Sequence, residues 1–254
     1  MKAAFFGGKG QMRLAELDPP QPGPGEVVMA VTACGVCGSD LHSFAGQWPQ
    51  PPVVPGHEMA GRVAAVGAGV TELAVGDAVT LEPFVSCGEC RWCRSGHYNV
   101  CPQHEFISWH RHGGFAEQVL APARCFLPLP EGPAREFGFL VEPLAVAVHA
   151  LRRAPLRGAD QVAVLGAGAI GLLAAAAAHA LGAGRVVVVA KHPHQAELAE
   201  AMGAHAVVRL GEGKPDDIIR AAVGPDGADV VVDAAGSSQS IDLAVRAARR
   251  GGSL

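Results

Sequence analysis

The sequence predicts two domains in succession, an all-β, barrel-like first half and an α/β second half built on a parallel sheet. Up to about Leu129 the apolar runs are short and separated by dense Pro and Gly, as in residues 19–25, a pattern typical of short strands joined by turns. From about Ala159 apolar strands alternate with helical segments, which favours a parallel sheet with helices on both faces. We therefore expect domains over residues 1–150 and 151–254.

Three segments of the first half fit short strands. Each looks like a short strand, and turn residues separate it from the next. The segments are residues 27–31, 61–66 and 78–81.

In the second half, three apolar strands alternate with segments that carry helix start and stop signals. The first helical segment is rich in Ala and Leu and ends at Gly182, the next ends at Gly203, and another opens with Pro215. The predicted strands are residues 161–165, 185–190 and 229–233, and the predicted helices are residues 169–181, 194–202, a segment from 215 and 238–250.

Composition excludes several classes of protein. The net charge is −4 and no basic tract is present, so nucleic acid is not an expected partner. The apolar run at the N-terminus is too short for a signal peptide. The longest apolar stretch, residues 169–181, is interrupted by Gly171 and His179 and falls short of a membrane span. We expect a soluble cytoplasmic protein with no membrane partner.

The most informative motif is a cluster of four cysteines in the pattern C-x2-C-x2-C-x7-C. Its members are Cys87, Cys90, Cys93 and Cys101. Such short spacings supply four converging thiolates for a tetrahedral zinc ion. The alternatives are a disulfide loop or four ordinary buried thiols. Without a secretory signal a reducing compartment is the default, which favours the metal. Because all four positions are protein ligands, the predicted zinc is structural.

A glycine-rich turn follows the first strand of the second half in the pattern G-x-G-x-x-G. Its residues are Gly166, Ala167, Gly168, Ala169, Ile170 and Gly171. In a strand–turn–helix context the first glycine makes the tight turn, the second admits a pyrophosphate and the third allows close packing. The helix N-terminus offers N–H groups to the phosphates. The turn therefore predicts dinucleotide binding, the alternative being a plain βα turn.

The residues after the next strand bear on the choice of cofactor. An Asp or Glu usually ends this strand and holds the ribose 2′-hydroxyl, but here Ala190 and Lys191 occupy the position. A carboxylate would repel a 2′-phosphate, whereas a lysine would attract one, so the sequence favours NADP over NAD. The alternative is that Lys191 is a solvated loop residue. At the end of a later strand, Ala234, Gly236 and Ser237 are candidates for the adenine side of the site.

A second candidate metal site lies in the first half. Cys37 is followed by Ser39, Asp40 and His42, and further on Gly56 precedes His57 and Glu58. One Cys, one His and one carboxylate suit a catalytic zinc, which keeps its fourth position open. Either motif alone is weak, since a lone Cys or His is more often a structural residue.

Taken together, these motifs resemble the zinc-dependent medium-chain dehydrogenase/reductase family. The cysteine lobe, the Cys37 and His57 motifs, Glu142-Pro143 and the glycine-rich turn occur in that family's order. The Glu-Pro pair is similar to the polyol and threonine dehydrogenase branch. The resemblance implies a GroES-like β-barrel domain with a zinc lobe at about residues 84–104, followed by a Rossmann domain, with the active site in the cleft between them.

The resemblance also implies roles for individual residues. Cys37 and His57 would hold the catalytic zinc, with Glu58 or Glu142 as the third protein group. Ser39 would touch the substrate oxygen and pass its proton through the cofactor ribose toward His42. The implied activity is hydride transfer between a secondary alcohol or polyol, or the matching ketone, and NADP or NAD, in a homo-oligomer.

The chain stops at Leu254, where members of the family continue with further strands. We therefore expect a C-terminally incomplete Rossmann domain. The alternative function is that of a truncated, catalytically inactive relative that binds zinc and nucleotide.

Overall fold

The computed structural model describes residues 1–211, 213 and 215–254. They form two compact units, Met1–Glu142 and Pro143–Leu254. The first is rich in antiparallel strands and the second alternates strands with helices, which confirms the predicted fold class. Among the helices in this part of the chain, none is both long and apolar enough to cross a bilayer.

The first unit is built on a five-stranded antiparallel sheet of order β8-β3-β4-β5-β9, and it also contains the two-stranded sheets β1-β2 and β6-β7. Its strands are β1 (Lys2–Gly8), β2 (Gln11–Glu16), β3 (Glu26–Gly35), β4 (Glu58–Val66), β5 (Ala78–Leu81), β6 (Phe84–Val85), β7 (Glu105–Phe106), β8 (Gln118–Pro122) and β9 (Phe126–Pro128). Its helices are α1 (Gly38–Phe44), α2 (Arg91–Arg94) and α3 (Pro133–Glu136), and α4 (Val141–Arg153) begins at its end. The core includes Val27, Met29, Met59 and Val79, all fully buried.

The second unit is a five-stranded parallel sheet of order β12-β11-β10-β13-β14. Its strands are β10 (Gln161–Leu165), β11 (Arg185–Ala190), β12 (Ala206–Arg209), β13 (Ala228–Asp233) and β14 (Ala248–Ser253). The helices that follow the first four strands in turn are α5 (Ala169–Ala180), α6 (Pro193–Ala201), α7 (Pro215–Val223) and α8 (Ser238–Ala247).

Alternate side chains of each central strand pack into two separate hydrophobic cores. Val162 and Val164 of β10 pack with α5, whereas Ala163 and Leu165 pack with α7 and α8. This two-sided burial explains why these strands read as continuous apolar runs in the sequence. The parallel pairing of these strands places their carboxyl ends along one edge of the sheet, where open α/β sheets bind ligands.

The predicted helix over residues 238–250 was wrong at its end. Helix α8 stops at Ala247, and Ala248 is already extended at φ −67° and ψ 141°. The following residues form β14, which pairs in parallel with β13. Residues 248–250 have good helix propensity, but pairing with a distant strand overrides it.

Candidate active site

Cys37, His57 and Glu58 converge in the first unit. One ligand atom from each lies within 4.8 Å of the others. Cys37 stands between β3 and α1, and His57 and Glu58 stand at the start of β4. The antiparallel pairing of β3 with β4 sets Gly35 opposite Glu58 and so brings the two segments together. His57 and Glu58 are buried at 7% and 9% exposure, and Cys37 is half-buried.

Asp40 connects the two segments that carry these groups. Its Oδ2 accepts a hydrogen bond from the Cys37 N–H at 3.0 Å, and it also accepts one from the backbone of Gly56. Asp40 is buried and lies outside the converging group of Cys37, His57 and Glu58. Its carboxylate therefore holds the loops that bear Cys37 and His57 in register.

The site is electrostatically negative. Burial alone would lower the pKa of His57, but the Cys37 side chain and the charges of Asp40 and Glu142 outweigh it and raise that pKa. Burial raises the pKa of Glu58 and of Glu142. Glu142 acts on His57 through its charge, but its carboxylate is not part of the converging group among the described side chains. Such a cluster of buried acids favours a bound cation.

Ser108 is a site residue that no sequence motif predicts. It is buried, its Oγ lies 3.4 Å from His57 Nδ1, and its backbone is in the left-handed region at φ 82°. Non-glycine residues in this region are costly and cluster at functional sites. The contact with Nδ1 leaves Nε2 of His57 for a metal, which is how metal-ligating histidines are usually oriented. No short motif marks Ser108, because its contact with His57 spans 51 positions.

A cavity of about 400 Å³ lies beside His57 in the first unit. Ser39 and Asp40 line it, whereas His42 does not. The His42 ring instead stacks on Trp48 with centroids 4.9 Å apart, and its Nδ1 lies 2.6 Å from Gln47 Oε1. The lining residues are Phe6, Ser39, Asp40, Ser43, Trp48, Pro51, Pro55, His57, Phe84, His104, Phe106, Ser108, Trp109 and His110.

The four cysteines of the lobe also come together. Their Sγ atoms are separated by 3.5 Å (Cys87–Cys101 and Cys90–Cys93), 3.8 Å (Cys87–Cys93) and 3.9 Å (Cys90–Cys101). A tetrahedron with zinc–sulfur bonds of about 2.3 Å has sulfur–sulfur edges of about 3.8 Å. All four cysteines are free thiols. The donor set and its dimensions therefore fit one zinc ion.

Backbone N–H groups prepare one of these thiols for a metal. The Cys90 N–H donates to Cys87 Sγ at 3.4 Å. Together with the Glu89 N–H, it lowers the pKa of Cys87 to about 6. Because the thiolate is the form that binds metal, this local geometry favours the charge state that zinc requires.

In the second unit the glycine-rich turn has the geometry that dinucleotide binding requires. Gly166 adopts φ 98°, and a Cβ on Gly171 would overlap the carbonyl of Gly166. Nothing lies within 4 Å of a Cβ built on Gly168, the N-cap of α5. The turn is therefore closed on its protein side and open at the helix N-terminus, where a pyrophosphate could approach.

A cavity of about 570 Å³ adjoins this turn. The predicted cofactor residues that line it are Gly166, Ala167, Gly168, Lys191 and Ala234. Of the predicted residues, all within the described part of the chain, Ala169, Ile170, Gly171, Ala190 and Gly236 do not line it.

Two further features shape this cavity. Ala190, the last residue of β11, is fully buried in the core and places no carboxylate at the end of that strand. Asp233, at the end of β13, accepts hydrogen bonds from the backbone N–H groups of Ala235 and Gly236 at 3.0 and 3.2 Å. Its other oxygen accepts from Ser240 Oγ at 3.0 Å. Asp233 thereby fixes the turn that carries Ala234 and Ala235, which both line the cavity.

Comparison with known proteins places these features in a family. Residues 23–131 match the model of the alcohol dehydrogenase GroES-like domain, and residues 169–254 match that of the zinc-binding dehydrogenase. The chain is 36% identical to sorbitol dehydrogenase of Bacillus subtilis over 260 residues, covering 100% of this chain and 74% of the relative. It is 35% identical to L-idonate 5-dehydrogenase of Vitis vinifera, and the match covers 99% of this chain and 72% of that relative.

Solved structures agree. A Sinorhizobium meliloti protein of the zinc-binding dehydrogenase type, bound to NADP, superposes with a TM-score of 0.90 at 36% identity, covering 99% of this chain and 74% of that one. For 2R,3R-butanediol dehydrogenase from Bacillus subtilis the TM-score is 0.87 at 32% identity, and the match covers 100% of this chain and 77% of that one. With its paired metal-ligand clusters, its glycine-rich turn and these matches, the chain belongs to the zinc-dependent medium-chain dehydrogenase family.

Proposed function

We propose that this chain transfers hydride between a secondary alcohol or polyol, or the matching ketone, and a nicotinamide cofactor, with a catalytic zinc and NADP favoured over NAD. The observation that carries the proposal is the convergence of Cys37, His57 and Glu58 within 4.8 Å, beside a cavity that can admit a small molecule. One thiolate, one imidazole and one carboxylate leave a tetrahedral metal one open position.

In this proposal Cys37, His57 and Glu58 hold the zinc, and Glu142 faces the site as a nearby charge. A zinc ion held there would act as a Lewis acid, which favours the deprotonated form of an alcohol and polarises a carbonyl. Cys37 and Glu58 would balance the ion's two positive charges, since neutral His57 adds none. Asp40 keeps the ligand loops in place through its hydrogen bonds to Cys37 and Gly56.

Ser39 and His42 are the proposed route for the proton. Ser39 lines the cavity, and its hydroxyl is the group that would touch the substrate oxygen. The Gln47 amide oxygen can only accept a hydrogen bond, so the contact at 2.6 Å requires a proton on His42 Nδ1. Nε2 of the neutral ring is then free to accept a proton, and the side chain is exposed to solvent. We infer that Ser39 releases the proton and His42 passes it to solvent.

The second unit is the proposed cofactor site. Gly166, Ala167 and Gly168 would cradle the pyrophosphate, and Ala234 would lie at the adenine side. The exposed Lys191 would attract a 2′-phosphate, which no carboxylate opposes at Ala190. Cys87, Cys90, Cys93 and Cys101 would hold a second, structural zinc. Homo-oligomeric assembly and a cytoplasmic location stay predictions.

The test is an assay of the purified chain with zinc and with NADP(H) or NAD(H) against a panel of secondary alcohols, polyols and ketones. We expect turnover in the unmodified protein and none in Cys37→Ala, which should still bind the cofactor. Zinc-loaded, cofactor-binding protein that turns over no member of the panel would overturn the proposal in favour of an inactive zinc- and nucleotide-binding relative.

A further inference from the structure

Two histidines of the cavity beside His57, His104 and His110, have ring nitrogens with opposite roles. His104 Nδ1 lies 2.7 Å from the Cys101 carbonyl oxygen. His110 Nδ1 accepts the Phe106 N–H at 2.8 Å. A carbonyl oxygen can only accept and a backbone N–H can only donate, so these partners fix the tautomer of each neutral ring. His104 carries its proton on Nδ1, and His110 carries its proton on Nε2.

The remaining nitrogens therefore form a complementary pair. His104 Nε2 is a hydrogen-bond acceptor, and His110 Nε2–H is a donor. The two ring centroids are 6.4 Å apart, at an interplanar angle of 85°. Both residues line the cavity and both are solvent-exposed. A hydroxyl group can donate to one ring and accept from the other, and so can two neighbouring hydroxyls on a carbon chain.

Ring contacts tie this pair to the metal-ligand cluster. His57 packs against the Phe106 edge at 5.4 Å, Phe106 against Phe84 at 5.0 Å, and Phe84 against His104 at 5.6 Å. In this series of packed rings, Phe106 and Phe84 separate His57 from His104. The pair would thus meet carbons beyond the one that reacts.

Charge in the cavity sets a further limit on the substrate. Among the described residues that line it, none is Lys or Arg, and the ionisable groups are Asp40 and histidines. Anionic ligands such as phosphate esters are usually held by Arg, Lys or helix N-termini. The first turn of α1 lines the cavity, but the Asp40 carboxylate there already accepts the Cys37 N–H. A phosphate would otherwise meet mainly aromatic rings. The cavity therefore suits an uncharged ligand.

We propose that His104 and His110 are specificity-determining residues that select an uncharged polyhydroxy substrate by binding hydroxyls beyond the reacting carbon. This inference rests on the proposed dehydrogenase function. A site with such a polar pair disfavours an analogue that lacks the hydroxyls, because the two nitrogens would lose their partners.

The experiment compares three six-carbon probes: sorbitol, 2-hexanol and sorbitol 6-phosphate. We expect His104→Phe and His110→Phe each to lower kcat/KM for sorbitol by roughly tenfold, the value of one hydrogen bond of about 1.4 kcal/mol. Their kcat/KM for 2-hexanol should change less than about twofold. The control His149→Phe, an exposed histidine outside the cavity, should change neither. His104→Gln, which keeps an acceptor, should recover most of the loss.

Equal losses on sorbitol and 2-hexanol would overturn the inference, since they would indicate a structural role. An unchanged kcat/KM for sorbitol in both Phe variants would also overturn it. The same holds if the unmodified protein has an equal kcat/KM for sorbitol 6-phosphate and for sorbitol. Tryptophan fluorescence gives a second measurement that does not require turnover, because Trp48 and Trp109 line the cavity. Sorbitol should change their fluorescence in the wild type and far less in either Phe variant. If neither alcohol is oxidised, the dehydrogenase function fails, and this titration alone decides the histidine pair.

Discussion

The carboxylate of Glu58 lies directly over the Cα of Gly35, its cross-strand partner in the pairing of β3 with β4. A Cβ built on Gly35 would overlap Glu58 Oε2 and would come within 3.1 Å of the Glu58 Cβ. The backbone of Gly35 is not in the left-handed region. The requirement for glycine is therefore one of space, and the space is taken by a proposed zinc ligand.

We predict that Gly35→Ala weakens zinc binding at the Cys37 site roughly tenfold to a hundredfold, the range found when a ligand loses its support. Competition against a chromophoric chelator would measure it. Gly7→Ala is the matched control, because a Cβ there meets nothing closer than 3.6 Å. The shorter acid in Gly35→Ala/Glu58→Asp should restore part of the affinity. Unaltered zinc binding in Gly35→Ala would contradict the role of Glu58.

A second prediction concerns Ser108, whose left-handed backbone and contact with His57 can be separated by two variants. Ser108→Ala loses the hydroxyl and keeps the strain, whereas Ser108→Gly loses the hydroxyl and relieves the strain. Both should weaken zinc binding at the Cys37 site by roughly tenfold or more. The Gly variant should be more stable than the Ala variant by about 1 to 2 kcal/mol, measured by urea unfolding.

The control for this pair is Ala159, the other non-glycine residue with positive φ in the described part of the chain, at 73°. Ala159→Gly should gain stability by a similar amount without any effect on zinc. Full zinc affinity in both Ser108 variants would refute the proposed support of His57.

The third prediction concerns the cysteine lobe. Cys90→Ser should release one of two zinc ions and lower the thermal midpoint, because the metal fixes a segment with few buried apolar side chains. Elemental analysis and thermal unfolding would measure both effects. Cys37→Ser is the reciprocal control, which should release the other zinc and leave the lobe intact. Loss of both ions in either variant would show that the two sites are not independent.

The fourth prediction concerns the cofactor. The buried position of Ala190 makes Ala190→Asp a poor test, since the new carboxylate would be buried and would destabilise the sheet. Lys191→Ala is cleaner and should weaken NADPH binding roughly tenfold, with little effect on NADH. Nicotinamide fluorescence would measure both. Arg185→Ala, at the opposite end of β11, is the control. Tighter binding of NADH than NADPH by the unmodified protein would refute the preference.

Short local motifs predict much of the site, whereas the site residues that no motif predicts depend on tertiary contacts. The cysteine lobe and the glycine-rich turn are short, so their spacing alone limits the geometry. Ser108, by contrast, lies 51 positions from His57, and the need for Gly35 appears only once β3 pairs with β4. The predicted end of α8 was wrong for the same reason, because β14 forms by pairing with β13 and not through its own propensity.

The last prediction concerns pH and the ion pair between Asp229 and Arg249, which joins β13 to β14. Burial raises the pKa of Asp229, but the Gln161 N–H at 2.7 Å and the Arg249 Nε at 2.5 Å together outweigh it and lower that pKa. A carboxyl with a lowered pKa stabilises the fold at pH values above its pKa in the unfolded chain, about 3.9, and loses this contribution as the pH falls through its folded pKa.

Arg249→Gln should therefore reduce the free energy of unfolding at pH 7 by at most about 1 kcal/mol, since the pair is partly exposed. The difference from wild type should shrink below about pH 4. Urea unfolding at pH 7 and pH 3 measures it, with Arg250→Gln as the exposed control. A deficit that stays constant across this range would mean that Arg249 acts through packing and not through the charge of Asp229.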